Sequence, residues 1–238
     1  MNAPVPQLFV EDAPRFAAVA ADWIVAALEA DLRESGTCSI ALAGGDTPRP
    51  VYEHLARDPR ALALRWRDVR IFFGDERAVP PSDPASNYGM VVSALLATDP
   101  IAAASVRRIE AERPDRDAAA REYDAALPDR LDVLLLGMGA DGHTASLFPG
   151  SPALAERHRR VMAVTGPKPP VDRLTITPPV IAAARRVAVL VAGAGKSATL
   201  ARVLDGPVRP GDLPVQLALG GVWFVDREAA ARLRSAAR

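Results

Sequence analysis

Of the three histidines in this 238-residue chain, His54 falls in a helix-patterned stretch and His158 in a charged run, where an imidazole is structural or solvated. His143 differs. It ends the segment Gly137-Met138-Gly139-Ala140-Asp141-Gly142-His143, two residues after Asp141 and just beyond the apolar run 131–136. An imidazole titrating near neutral pH beside a carboxylate that can orient it is the best general acid/base candidate in the chain. Gly74-Asp75-Glu76-Arg77 adds two carboxylates and a guanidinium after another apolar run; the same residues would also serve as a surface ion-pair cluster.

Two more glycine turns have phosphate chemistry in reach. Gly44-Gly45-Asp46-Thr47-Pro48 leads from an apolar run into a helix pattern, with Thr47 suited to the cap and Pro48 to the first helical position. Free backbone N–H groups there would suit an anion if the Asp46 side chain turns away; an ordinary strand-to-helix turn reads the same. Gly193-Ala194-Gly195-Lys196-Ser197 puts Lys196, one of only two lysines among 29 basic residues, at another helix start. It is either a seat for a single phosphate or a solvated surface lysine. A Walker A loop is excluded because Leu190 stands where its first glycine belongs. The glycines at 137, 139 and 142 match a dinucleotide fingerprint, but Pro149, Gly150 and Pro152 interrupt the helix it requires, so they shape the backbone around Asp141 and His143 instead. There is no Cys/His cluster and no G-x-S-x-G motif, so neither a metal site nor a serine nucleophile is expected.

The elements that must position these residues follow from hydrophobic periodicity. Helices are expected over 16–34, 48–57, 86–97, 115–126, 178–185, 196–204 and 227–237. Apolar runs at 38–43, 69–74, 131–137, 159–165, 173–177, 187–193 and 222–225 read as strands. Strands apolar on both faces and separated by helices imply an α/β fold, a mostly parallel, doubly wound (Rossmann-like) sheet with helices on both faces. In such a sheet ligands bind beyond the carboxyl ends of the strands, so the four loops 44–47, 74–77, 137–143 and 193–196 are where chemistry is expected.

Composition bounds the rest. A 49% hydrophobic content supports one domain over 1–238, within which the Pro-rich stretches 167–170 and 207–214 are loops. Basic and acidic residues balance at 29 each, which disfavours a nucleic-acid partner. No apolar run is long enough to span a bilayer and residues 1–10 lack a leader pattern, so no membrane association is expected. The lone Cys38 fits a reducing, cytoplasmic setting.

Taken together, four segments resemble the 6-phosphogluconolactonase family, within a larger group that includes glucosamine-6-phosphate deaminase. They are Leu42-Ala43-Gly44-Gly45-Asp46-Thr47-Pro48; Phe73-Gly74-Asp75-Glu76-Arg77 with Ser86-Asn87-Tyr88; the run from Leu136 through Asp141-Gly142-His143-Thr144-Ala145-Ser146-Leu147-Phe148-Pro149; and Arg173-Leu174-Thr175-Ile176-Thr177 followed by 193–197. The pattern extends from about residue 8 to Gly221-Val222-Trp223-Phe224-Val225-Asp226 and the chain end. The resemblance implies hydrolysis of 6-phospho-D-glucono-1,5-lactone without metal or organic cofactor, by a monomer. It also implies His143 as acid/base, Asp141 and Asp75 as its neighbours, and Gly44, Gly45, Thr47, Arg77 and Lys196 as phosphate and sugar contacts, with Arg173 and Asn87 added. The family usually carries Ser or Thr where this chain has Asp46, so no hydroxyl contact is carried over there. An amino-sugar-phosphate deaminase of the same group is the alternative, but its histidine would be expected to have a further acidic partner a few residues on, and the next acidic residue here is Glu156. A non-catalytic sugar-phosphate sensor would lack the acid/base groups.

Overall fold

The computed structural model describes residues 6–234. The chain enters along β1 (Gln7–Glu11) and passes into the long helix α1 (Ala13–Ser35). Next come β2 (Cys38–Leu42), α2 (Arg49–Leu55) and the single turn α3 (Pro59–Leu62). β3 (Val69–Phe73) runs into the short β4 (Asp75–Arg77), and α4 (Asn87–Val91) continues as a π-helical turn through Val92–Leu96. β5 (Ser105–Val106), α5 (Arg116–Ala126) and β6 (Val133–Gly137) follow. The remainder is β7 (Val161–Thr165), β8 (Asp172–Ile176), α6 (Pro178–Ala183), β9 (Arg186–Val191), α7 (Ser197–Asp205), β10 (Val222–Asp226) and α8 (Arg227–Ala230).

Seven strands form one parallel sheet in the order β1-β10-β9-β6-β2-β3-β5. From β2 the chain builds outward through β3 and β5; from β6 it builds the other way through β9 and β10. The order therefore reverses between β2 and β6, and the crevice beyond their carboxyl ends is where this topology accommodates a ligand. β2 is buried at every position and β6 up to Leu136, because helices cover both faces and leave no wet side for polar residues. β4, β8 and β7 make a separate antiparallel sheet.

Buried tyrosines fix two of the strand ends. The Tyr52 hydroxyl, from α2, donates to the Ala43 carbonyl (2.8 Å) and accepts from the Ala43 N–H (3.0 Å). Tyr123, from α5, does the same to Phe73, accepting its N–H at 2.7 Å and donating to its carbonyl at 3.0 Å. Each thus satisfies both backbone groups of the residue just before a site loop. At the amino end of the sheet the fully buried Asp31 is bridged by Arg185 (2.9 Å) and Arg186 (2.7 Å), with Cys38 Sγ 3.6 Å away. Burial and then Asp31 push the Cys38 thiol far above its usual range, so it stays protonated.

Three expectations need correction. The helix expected over 227–237 ends at Ala230: the Leu233 N–H closes a tight turn on the Ala230 carbonyl, and the Asp205 carboxylate takes the Arg234 N–H. Positions 235–237 lie outside the described residues. Residues 75–77, expected as loop, form β4, held in register by β8. Both edge strands of the parallel sheet, β1 and the two-residue β5, fall outside the expected strands; β1 is pinned by the stacking of Phe9 on Phe224 (5.3 Å). No helix among the described residues is long and apolar enough to cross a membrane.

Candidate active site

The loops after β2, β3, β6 and β9 open onto one cleft of about 200 Å³. Its walls include Gly44, Gly45, Thr47, Asp75, Arg77, Asn87, His143, Arg173 and Lys196. Of the residues expected at the site, only Asp141 stands off the wall, behind His143.

His143 Nδ1 lies 2.5 Å from Asp141 Oδ1, which also accepts the His143 backbone N–H (3.1 Å). The hydrogen bond from His143 holds the Asp141 carboxyl down at about 2, so it is ionised and only accepts. That assigns the ring proton to Nδ1 and leaves the Nε2 lone pair for chemistry. The loop closes through the Gly139 N–H to the His143 carbonyl (2.9 Å), and the imidazole ring packs against Phe148 at 4.7 Å between centroids. Gly139, where a Cβ would meet the imidazole, and Gly142, at φ 89, shape the backbone around this pair as expected; Gly137 has open space beside it.

Asp75 and Glu76 are both buried, and their partners are neutral donors, which overturns the surface ion-pair reading. Glu76 sits beneath the start of α4 and accepts the N–H groups of Arg77, Asn87 and Tyr88, each at 2.8 Å, and the Ser86 hydroxyl at 3.1 Å. Burial pushes its carboxyl up against those donors. Asp75 accepts from Ser146 Oγ (2.6 Å) on one oxygen and Asn87 Nδ2 (3.1 Å) on the other. Asn87 therefore acts first on Asp75, and it does so across Gly44: a Cβ there would lie 1.8 Å from Asn87 Oδ1.

The cations line the same cleft. Arg77 and Arg173 stand directly opposite each other across β4 and β8. Cross-strand like charges are unfavourable. Burial, and after it Arg77, push the Arg173 guanidinium below its usual value. Arg173 is held by the carbonyls of Pro170 (3.0 Å) and Lys168 (3.3 Å) and lies over Phe148 at 5.5 Å, while Arg77 bonds the Ala85 carbonyl at 2.5 Å. Arg77 Nε is buried without a hydrogen-bond partner among the described residues. Such a donor is expected to find a ligand acceptor.

Lys196 donates to Thr47 Oγ (2.9 Å), and burial lowers its pKa. This corrects the cap expectation: Pro48 occupies the cap position of α2, the helix starts at Arg49, and the Thr47 hydroxyl faces Lys196. Asp226 shapes the same turn by accepting the Gly193 N–H (2.9 Å). The exposed Asp46 makes no hydrogen bond to Lys196 and acts on it only through its charge. Among the described residues no group of three or more His, Cys, Asp or Glu is placed to hold a metal ion. Sequence reasoning offered Glu76 only as one of the two carboxylates of the 74–77 loop, without its place beneath α4, and it missed Ser146 and Phe148; the sole signal of those two was their position inside the family-like segments.

A model of the family described as glucosamine-6-phosphate isomerases/6-phosphogluconolactonase matches residues 11–223. A 6-phosphogluconolactonase of Synechocystis is 37% identical over 216 residues, 85% of this chain and 88% of the relative. One of Mycobacterium tuberculosis is 36% identical, over 94% of this chain and 96% of its own length. The solved 6-phosphogluconolactonase of Trypanosoma brucei superposes with a TM-score of 0.82 at 32% identity, covering 96% of this chain and 98% of that one. The doubly wound topology, the His143–Asp141 pair at its switch point and these matches together place the chain in the glucosamine-6-phosphate isomerase/6-phosphogluconolactonase family.

Proposed function

We propose that this chain hydrolyses 6-phospho-D-glucono-1,5-lactone to 6-phosphogluconate, the second step of the oxidative pentose phosphate pathway, as a cytoplasmic monomer. The observation that carries the reading is an oriented imidazole with a free Nε2 on the wall of a cleft that also holds Arg77, Arg173 and Lys196. A neutral ester and a distant phosphate need those two things at once.

In the proposed mechanism His143 Nε2 takes a proton from water as the water oxygen adds to the C1 carbonyl. The tetrahedral oxyanion then collapses, the bond from C1 to the ring oxygen breaks, and the imidazolium returns the proton to that oxygen. Asp141 keeps the Nδ1 proton in place and stabilises the transient imidazolium. Asp75, an acceptor on the cleft wall, takes a sugar hydroxyl. Lys196, Arg77, Arg173 and the Gly44–Thr47 turn take the phosphate, whose binding energy fixes C1 against His143. The deaminase alternative loses support because Glu156 lies off the cleft, engaged by the N–H groups of Arg157, His158 and Arg159.

The test is proton NMR of freshly generated lactone with and without protein, corrected for spontaneous hydrolysis. Disappearance well above background is expected. Background decay together with ammonia release from glucosamine 6-phosphate would replace the reading with the deaminase; weak binding of 6-phosphogluconate with neither turnover would replace it with a sensor.

A further inference from the structure

Ser146 lies three residues after His143 with its side chain fully buried, and the mechanism above leaves it without a role. The directions of its hydrogen bonds are determined. Its N–H donates to Thr175 Oγ (3.1 Å), whose own proton is turned to the Ile176 carbonyl (3.0 Å). Its hydroxyl donates to Asp75 Oδ2 at 2.6 Å, the short distance typical of O–H to a carboxylate. Thr175 and Asp75 are themselves paired directly across β8 and β4. Ser146 thus inserts over that pair from a third segment, the loop that carries the imidazole.

The backbone before it is strained. Residues 144–147 form a turn closed by the Leu147 N–H on the Thr144 carbonyl (2.9 Å), and its first corner, Ala145, has φ 48. Ala145 is the sole non-glycine with positive φ among the described residues. An L-residue with a Cβ avoids that region, and such strain persists where the surroundings over-determine it. The second corner of this turn is Ser146.

We propose that Ser146 is a positioning residue for Asp75. With Asn87 it occupies one acceptor site on each carboxylate oxygen, and of the roughly four such sites a carboxylate has, it leaves the others to the cleft. It also ties the loop of His143 to the strand of Asp75, so that acid/base and hydroxyl-binding groups keep one spacing. The role of Asp75 toward a sugar hydroxyl rests on the lactonase reading; the clamp itself rests on the hydrogen bonds.

A double-mutant cycle of Ser146→Ala, Asp75→Ala and the pair tests it, with melting temperature as the check on folding. In the otherwise unchanged chain Ser146→Ala is expected to lower kcat/KM on the order of tenfold. On Asp75→Ala the same change should cost less than about twofold, because nothing remains to be oriented. Equal losses in both backgrounds, or none in the single variant, overturn the proposal. If Ser146→Ala does not fold, Ser146→Cys, a weaker donor of similar shape, takes its place in the cycle. Calorimetric affinity for 6-phosphogluconate on the same four proteins separates the two readings. Coupled affinities with no lactone turnover by the unsubstituted chain would keep Ser146 and remove the lactonase; turnover without coupling would remove Ser146 alone.

Discussion

Gly139 and His143 face each other so closely that only a hydrogen fits between: a Cβ at 139 would lie 2.1 Å from the imidazole Nδ1 and 2.8 Å from Asp141 Oδ1. Gly139→Ala must therefore push the ring or the carboxylate aside without disturbing the sheet. Displacement of a catalytic group by about 1 Å costs on the order of 10² in rate, and that loss in kcat is expected with the melting temperature nearly unchanged. His143→Asn should cost about 10² to 10⁴. Near-normal turnover by folded His143→Asn, above spontaneous hydrolysis, removes His143 from the mechanism; near-normal turnover by Gly139→Ala would show that the ring keeps its place despite the added methyl.

Acid should weaken the protein through Asp141. Its carboxyl titrates at 3.8 when free and at about 2 beside His143, so its contribution to stability is present above 3.8 and disappears as pH falls toward 2. The side chain is 45% exposed, so solvent screening keeps the effect small. Denaturant melts at pH 5, 4, 3 and 2 should show a steeper loss for the native chain than for Asp141→Asn. Parallel curves would mean that His143 does not hold this carboxylate.

Lys196 predicts an alkaline limb in ligand binding. Burial lowers its pKa from 10.5 against the opposing pull of Asp226 and Asp46, whereas an anionic phosphate favours the charged form. Affinity for 6-phosphogluconate should accordingly fall as pH rises toward 10.5, with proton uptake visible by calorimetry in buffers of different ionisation enthalpy. Lys196→Ala should abolish that limb and raise KM more than it lowers kcat; an unchanged KM takes Lys196 out of the phosphate site.

Tyr52→Phe removes one hydroxyl and leaves both the N–H and the carbonyl of Ala43 unpaired in the interior. A loss of about 1–3 kcal/mol in unfolding free energy is expected. Tyr123→Phe should behave alike at Phe73, and a change below about 0.5 kcal/mol in either would show that water replaces the hydroxyl.

The parallel core was legible because strands apolar on both faces have one home, a sheet covered on both sides, and that sheet already assigns loops to its carboxyl ends. His143, Asp75 and Lys196 were found by that route. β4 was not, because Asp75-Glu76-Arg77 has no strand pattern of its own and becomes one through its register with Asp172–Ile176. The Thr47 reading failed since a hydroxyl before a proline looks like a cap until a lysine from 149 residues away claims it. Ser146 left no local trace: its meaning lies in a partner 71 positions upstream.

The carboxylate behind His143 bears on how a turnover ends. On the lactonase reading, substrate and product carry the same phosphate, so the arginines and Lys196 hold both equally and cannot expel either. Opening the ring creates a new anion at C1, however, against His143 with the ionised Asp141 behind it, and like charges at short range repel. Product departure is then driven from the reacting end while the phosphate lets go last. An inhibition constant for 6-phosphogluconate well below the KM for the lactone would contradict it.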